Sequence, residues 1–185
     1  MRPLAKAVSL IAAPLIAAAL PLAAANAALA VGAKAPTFDT KASFAGKDFD
    51  FNLQKALKKG PVVLYFFPKV FTQGCTIEAN QFSEAADEFN KLGATVVGVS
   101  ADPIDQVREF SVRECRNKFA VGVATPAMIK DYDAALIMQG LTGRSNRTSY
   151  VIAPDGKIVF ALTAMKPDGH VSGTLAAVRD WKAKH

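Results

Sequence analysis

The 185-residue chain has 22 Lys and Arg against 16 Asp and Glu, a formal net charge of +6, and 51% hydrophobic residues. The bases are interleaved with acids and never run to five in a row, so the footprint of a nucleic-acid-binding protein is missing. Two cysteines and two histidines (His170 and the terminal His185) offer no paired ligand spacing, which argues against a zinc site.

Residues 1–27 read as a secretory leader. Arg2 and Lys6 give a positive start, Val8 to Leu22 is apolar with two prolines, and Ala25-Asn26-Ala27 is a small-x-small cleavage site. Cleavage after Ala30 fits equally well. The alternative is an uncleaved anchor, but the apolar stretch is short and rich in alanine and proline, so stable membrane insertion is not expected. The expectation is an exported, periplasmic protein whose residues 28–185 form one domain around one core. Without the leader, 20 bases face 16 acids, a net +4 that is ordinary for a soluble protein.

Val31 to Leu57 reads as an N-terminal extension with short strands around Phe38 and over Asp48 to Leu53. Lys58-Lys59-Gly60-Pro61 turns the chain into Val62 to Phe67, an unbroken apolar run of the kind buried on both faces of a parallel sheet. Thr76 to Leu92 places Phe82, Ala85, Ala86, Phe89 and Leu92 on one helical face, and Gly93 ends that helix. Thr95 to Val99 is a second buried strand. Asp102 as N-cap and Pro103 as first helical residue open another helix with the stripe Ile104, Val107 and Phe110. Cys115 falls near its C-terminal end, on the edge of the stripe. Pro126 starts a short helix through Ala135. Thr148 to Ile152 and Lys157 to Leu162 form a hairpin across Pro154-Asp155-Gly156, and Val171 to Lys182 is a last helix carrying Leu175, Val178 and Trp181. This alternation predicts an α/β domain without selecting among α/β folds.

Chemistry concentrates at Cys75, where a buried strand turns into the first turn of a helix. Unpaired backbone N–H groups and the positive end of the helix dipole favour thiolate there, and only the thiolate is a good nucleophile. The bland alternative is an inert core thiol. Two thiols in an exported chain also fit one structural disulfide.

Pro68-x-x-x-Thr72-x-x-Cys75 is similar to the active-site signature of the peroxiredoxins, and Thr76-Ile77-Glu78-Ala79 resembles their Q-type, bacterioferritin comigratory protein-like branch. Val31-Gly32-x-x-Ala35-Pro36-x-Phe38 and Arg147-Thr148-Ser149-Tyr150 extend the resemblance over the whole domain. It implies a thioredoxin-like fold with a central mixed sheet flanked by helices. It further implies a thiol-dependent peroxidase that reduces hydrogen peroxide or organic hydroperoxides with no metal and no bound cofactor.

In this reading Cys75 attacks the peroxide and becomes a sulfenic acid. Thr72 hydrogen-bonds the peroxide, Pro68 shapes the loop and excludes water, and Arg147 holds the thiolate and the leaving oxygen. Glu78, one helical turn beyond Cys75, orients Arg147. Each has a plainer alternative: a turn residue for Thr72 and Pro68, a helix-start acid for Glu78, and a solvated strand-edge charge for Arg147, with Arg144 able to stand in for it. Many Q-type members carry a second cysteine five residues after the first, where this chain has Asn80. Others carry it on the helix after the next strand, which implies that Cys115 resolves the sulfenic acid through an intrachain Cys75–Cys115 disulfide. The alternative is a core cysteine and a one-cysteine mechanism. The implied partners are a hydroperoxide and an external thiol or dithiol reductant of thioredoxin type, and the chain is expected to be a monomer.

Two rival functions remain at this point. One is thiol–disulfide exchange on exported proteins, against which stands the absence of Cys-x-x-Cys, with Thr at position 72. The other is a non-catalytic thioredoxin-fold binding module with a structural disulfide.

Overall fold

The computed structural model describes residues 28–137 and 142–185; the leader reading at 1–27 lies outside them. Seven strands form one mixed sheet. They are β1 (Asp39–Phe44), β2 (Lys47–Asn52), β3 (Val62–Phe66), β4 (Thr95–Ser100), β5 (Ala120–Val123), β6 (Thr148–Ile152) and β7 (Ile158–Thr163), in the order β2-β1-β5-β4-β3-β6-β7. β3, β4 and β5 run parallel, and β1, β2, β6 and β7 complete the sheet by antiparallel pairing. Five helices pack on it: α1 (Leu53–Leu57), α2 (Gln73–Lys91), α3 (Ile104–Arg113), α4 (Pro126–Asp131) and α5 (His170–Ala183).

β3 shows why its sequence is unbroken in apolar character. Val62, Leu64 and Phe66 enter the core beneath α1 and α4, while Val63, Tyr65 and Phe67 enter the core beneath α2, α3 and α5. The period-2 alternation of a strand therefore feeds two hydrophobic layers, and all five β3 residues are buried. On the second face the Tyr65 ring stacks on Phe82 at 4.4 Å and on Phe67 at 5.5 Å. It lies across its register partner Gly98, where any Cβ would come within 2.5 Å of the ring. Only glycine leaves room for it there.

Several sequence expectations shift. Pro103, not Asp102, is the N-cap of α3, which begins at Ile104. Pro fixes φ near −65° but here takes an extended ψ of 155°, so it ends the loop rather than starting the helix. Cys115 lies two residues past the end of α3, in a turn where Arg116 and Asn117 both take positive φ. α4 stops at Asp131, short of Ala135. β5 was not expected; its four residues, AVGV, are too short for a periodicity signal. Among the described residues, no helix is long and apolar enough to cross a membrane.

Candidate active site around Cys75

β3 delivers the chain to a loop at its C-terminal end, and α2 carries it away. Cys75 is the third residue of α2 and only 2% exposed. The intervening loop is pinned by polar contacts. Asp102, 3% exposed, accepts the Val70 N–H at 2.9 Å and the Ser100 hydroxyl at 3.0 Å. Its other oxygen accepts from Arg144 Nη1 at 3.2 Å, and that same nitrogen donates to the Pro68 carbonyl at 3.1 Å. Ser145 donates to the Phe67 carbonyl at 2.8 Å. Between these clamps Phe71 adopts φ +58°, a left-handed conformation that costs a non-glycine residue about 1–2 kcal/mol. Its ring is 38% exposed, sits edge-on to Phe110, and lies beneath the Arg113 guanidinium at 5.2 Å.

Arg147, immediately before β6, reaches back across the sheet end. Its Nη2 lies 3.5 Å from Cys75 Sγ, its Nη1 pairs with Glu78 Oε2, and its Nε donates to the Met165 carbonyl at 3.0 Å. The whole guanidinium edge is thus assigned, and the side chain is 4% exposed. Such a group stays cationic in any biological pH range. Gly74 leaves room for this approach: an added Cβ would stand 3.1 Å from Nη2, a tight contact that the end of the Arg147 side chain would have to ease by a few tenths of an ångström.

Glu78 is fully buried. Burial pushes its carboxyl up to about 8, against the opposing pull of the Arg147 charge and hydrogen bond. Its Oε1 has no hydrogen-bond partner among the described residues. Thr72 is the N-cap of α2 but its side chain caps nothing; the exposed hydroxyl donates to the Lys69 carbonyl at 3.0 Å, which leaves its oxygen lone pairs free to accept. Pro68 is half-buried, and its carbonyl serves the Arg144 contact.

Cys115 is fully buried, in the same apolar cluster as Cys75. Burial holds its thiol well above the ordinary range, so it is protonated at rest. Both cysteines are free.

The structure therefore brings Cys75, Arg147 and Glu78 into direct contact and places Thr72 and Pro68 on the loop before the thiol. Arg144 does not substitute for Arg147: it is spent on Pro68 and Asp102. Sequence reasoning missed Asp102, Ser145 and His170 as supports of the site. Asp102 was legible only as a cap, because a side chain that reaches a loop 32 residues away leaves no local pattern. A cavity of about 600 Å3 lies at the far end of α2, between Phe49, Lys55, Ala86, Asn90 and Phe119. Ala86 and Asn90 are 11 and 15 residues beyond Cys75, or roughly 16–22 Å along the helix, so this cavity is separate from the thiol.

A family profile described as AhpC/TSA matches residues 31–161. Peroxiredoxin Bcp of Xanthomonas campestris is 31% identical over 129 residues, which cover 64% of this chain and 76% of that protein. The crystal structure of peroxidoxin BcpB from Mycobacterium tuberculosis superposes with a TM-score of 0.73 at 28% identity, over 81% of this chain and 96% of that one. A Xylella fastidiosa PrxQ mutant shares the fold at a TM-score of 0.72 and 23% identity, over 82% of this chain and 96% of the other. With a buried thiol, a fixed guanidinium and this kinship over most of its length, the chain belongs to the peroxiredoxins of the AhpC/TSA family, in their Bcp or Q-type branch, and is a thiol-dependent peroxidase.

Proposed function

We propose that the chain reduces hydrogen peroxide or organic hydroperoxides through a Cys75 sulfenic acid that Cys115 resolves. The observation that carries this reading is the Arg147 guanidinium, locked by Glu78 and Met165 with one edge on the Cys75 sulfur. The thiolate attacks one peroxide oxygen. An S–O bond forms, the O–O bond breaks, and the sulfur is oxidised as the peroxide is reduced to an alkoxide or hydroxide, which takes up a proton. Positive charge fixed beside the sulfur meets the negative charge as it spreads onto the departing oxygen, and costs no reorganisation at that moment. The Thr72 oxygen, with its own proton given to Lys69, accepts a hydrogen bond from the incoming O–H. Pro68 and Phe71 shape the approach.

The Cys115 thiol then attacks the sulfenic sulfur, forming an S–S bond and releasing water. A disulfide needs Cα atoms about 4.4–6.8 Å apart. A nucleophile packed into the third position of α2 and a thiol in the turn after α3 meet by local opening of the α2 start. An external dithiol of thioredoxin type restores both thiols by exchange. With both cysteines in one chain the enzyme works as a monomer, and the leader at 1–27 sends it to the periplasm.

Peptide mapping and intact mass after one equivalent of peroxide test the reading. The expected product is an intrachain Cys75–Cys115 bridge. Cys115→Ser should stop at a trappable sulfenic acid, and Cys75→Ser should consume no peroxide. A Cys75→Ser protein that still turns over peroxide with a dithiol would overturn it.

A further inference from the structure

His170 has no part in the chemistry above, yet it is fully buried against the site. It is the first residue of α5, and both ring nitrogens are engaged. Nε2 lies 2.9 Å from the Ala164 carbonyl, which can only accept, so Nε2 carries the hydrogen. Nδ1 is then the acceptor, and the Ser149 hydroxyl donates to it at 2.8 Å. The ring is held neutral by burial, with the nearby Arg147 charge acting in the same direction.

The carbonyl that His170 grips belongs to the segment that holds Arg147. β7 ends at Thr163, so residues 164 and 165 have left the ladder. Ala164 N–H donates to the Arg147 carbonyl at 3.1 Å, and the Met165 carbonyl accepts from Arg147 Nε at 3.0 Å. Backbone and guanidinium of Arg147 are thus bracketed by two consecutive residues, the first of which is tied to the His170 ring. A second link runs through Glu78. Its unpartnered Oε1 stands 3.8 Å from His170 Nδ1, too far for a hydrogen bond and facing a lone pair. With that side of the carboxyl denied a donor, Glu78 makes its one hydrogen bond to Arg147 through Oε2. Among the described residues, Glu78 from α2 and Arg147, just before β6, are the charged groups that face the ring.

We propose that His170 is a positioning residue for Arg147, aiming the guanidinium at the Cys75 sulfur through the Ala164–Met165 peptide and by leaving Glu78 to Arg147 alone. The inference rests on the peroxidase reading for its purpose, not for its geometry.

The test is the pH profile of Cys75 alkylation by iodoacetamide, with peroxide reduction measured in parallel. His170→Ala should displace the alkylation profile to higher pH and slow peroxide reduction about tenfold, the order expected when a charge-stabilising donor is misaimed rather than lost. His170→Gln, whose amide N–H can replace Nε2–H toward Ala164, should recover most of both. A purely structural role would lower thermal stability and leave the profile of the folded protein in place, which would overturn the proposal. If the Ala variant does not fold, the Gln and Asn variants decide: Gln near wild type with Asn displaced supports it, and equal profiles overturn it. Alkylation needs no peroxide, so a wild-type protein inert to peroxide would sink the peroxidase reading alone. Unmoved alkylation in an active enzyme would sink this inference alone.

Discussion

Cys75 and Cys115 share one apolar cluster and are 2% and 0% exposed, yet their polar surroundings differ. Cys75 has a guanidinium edge at 3.5 Å and a loop tied down by Asp102, Arg144 and Ser145. Cys115 has burial alone, and burial drives its thiol toward the protonated form. Exposure alone thus does not distinguish the two sulfurs. What separates them is a fixed positive charge, held by burying the Arg147 guanidinium against the Glu78 carboxyl.

Removing that charge should break the contrast most severely. Arg147→Met is expected to slow peroxide reduction by about 10²–10³-fold, measured under single-turnover conditions. It should also destabilise the fold, by about 3–5 kcal/mol in urea titration if Glu78 stays ionised and less if it takes up a proton. The double variant Arg147→Met, Glu78→Gln should recover stability and leave the rate low, separating the two roles of the arginine.

Alkylation sharpens the same comparison without disturbing it. In the folded protein, iodoacetamide should modify Cys75 at least about a hundredfold faster than Cys115 at neutral pH, and denaturant should bring the two rates together. Equal rates in the folded state would show that Arg147 does not distinguish the thiols.

Glu78 offers a test in stability. Its carboxyl sits at about 8 in the fold against an ordinary 4.5, so the native state holds a proton that the unfolded chain releases. Between these values stability should therefore fall as pH rises, by on the order of a few kcal/mol, and level off above about 8. Glu78→Gln should flatten that slope. His170 acts with the opposite sign: its folded value is lowered, so its contribution is present above the ordinary 6.5 and is lost as pH falls below it. The Gln variant should retain this acid-side loss.

The smallest effect is expected at Gly74. Gly74→Ala places a methyl 3.1 Å from Arg147 Nη2. The end of a long side chain can shift by a few tenths of an ångström, so the rate should drop only a few-fold, with little change in stability. Full activity would show that the Nη2–sulfur contact tolerates displacement.

Much of this architecture was readable before any coordinates. The strand expected over Val62 to Phe67, the helix behind Cys75 and the closing hairpin announce themselves through apolar runs and turn residues, and the Pro68, Thr72, Cys75 spacing points to the thiol proposed as nucleophile. Arg147 and Glu78 were legible as residues near a recognisable pattern, and their contact follows from β6 pairing with β3 beneath the head of α2. The supports were not legible. Asp102 and His170 act across long stretches of sequence, on a backbone amide or carbonyl that carries no residue identity. β5 was hidden by its brevity, and the start of α3 by a proline whose ψ the sequence does not specify.

Phe71 carries a last consequence. A bulky L-residue parked at φ +58° means that the peptide before Cys75 is wound against its own preference, like a spring kept compressed by the Asp102 clasp. Amides 70–74 should therefore exchange hydrogen ahead of the neighbouring β3 and β4 amides, and Asp102→Asn should quicken them further. If Cys115 resolves Cys75 as proposed, the stretch that has to yield for the two sulfurs to meet is the one primed to give way first.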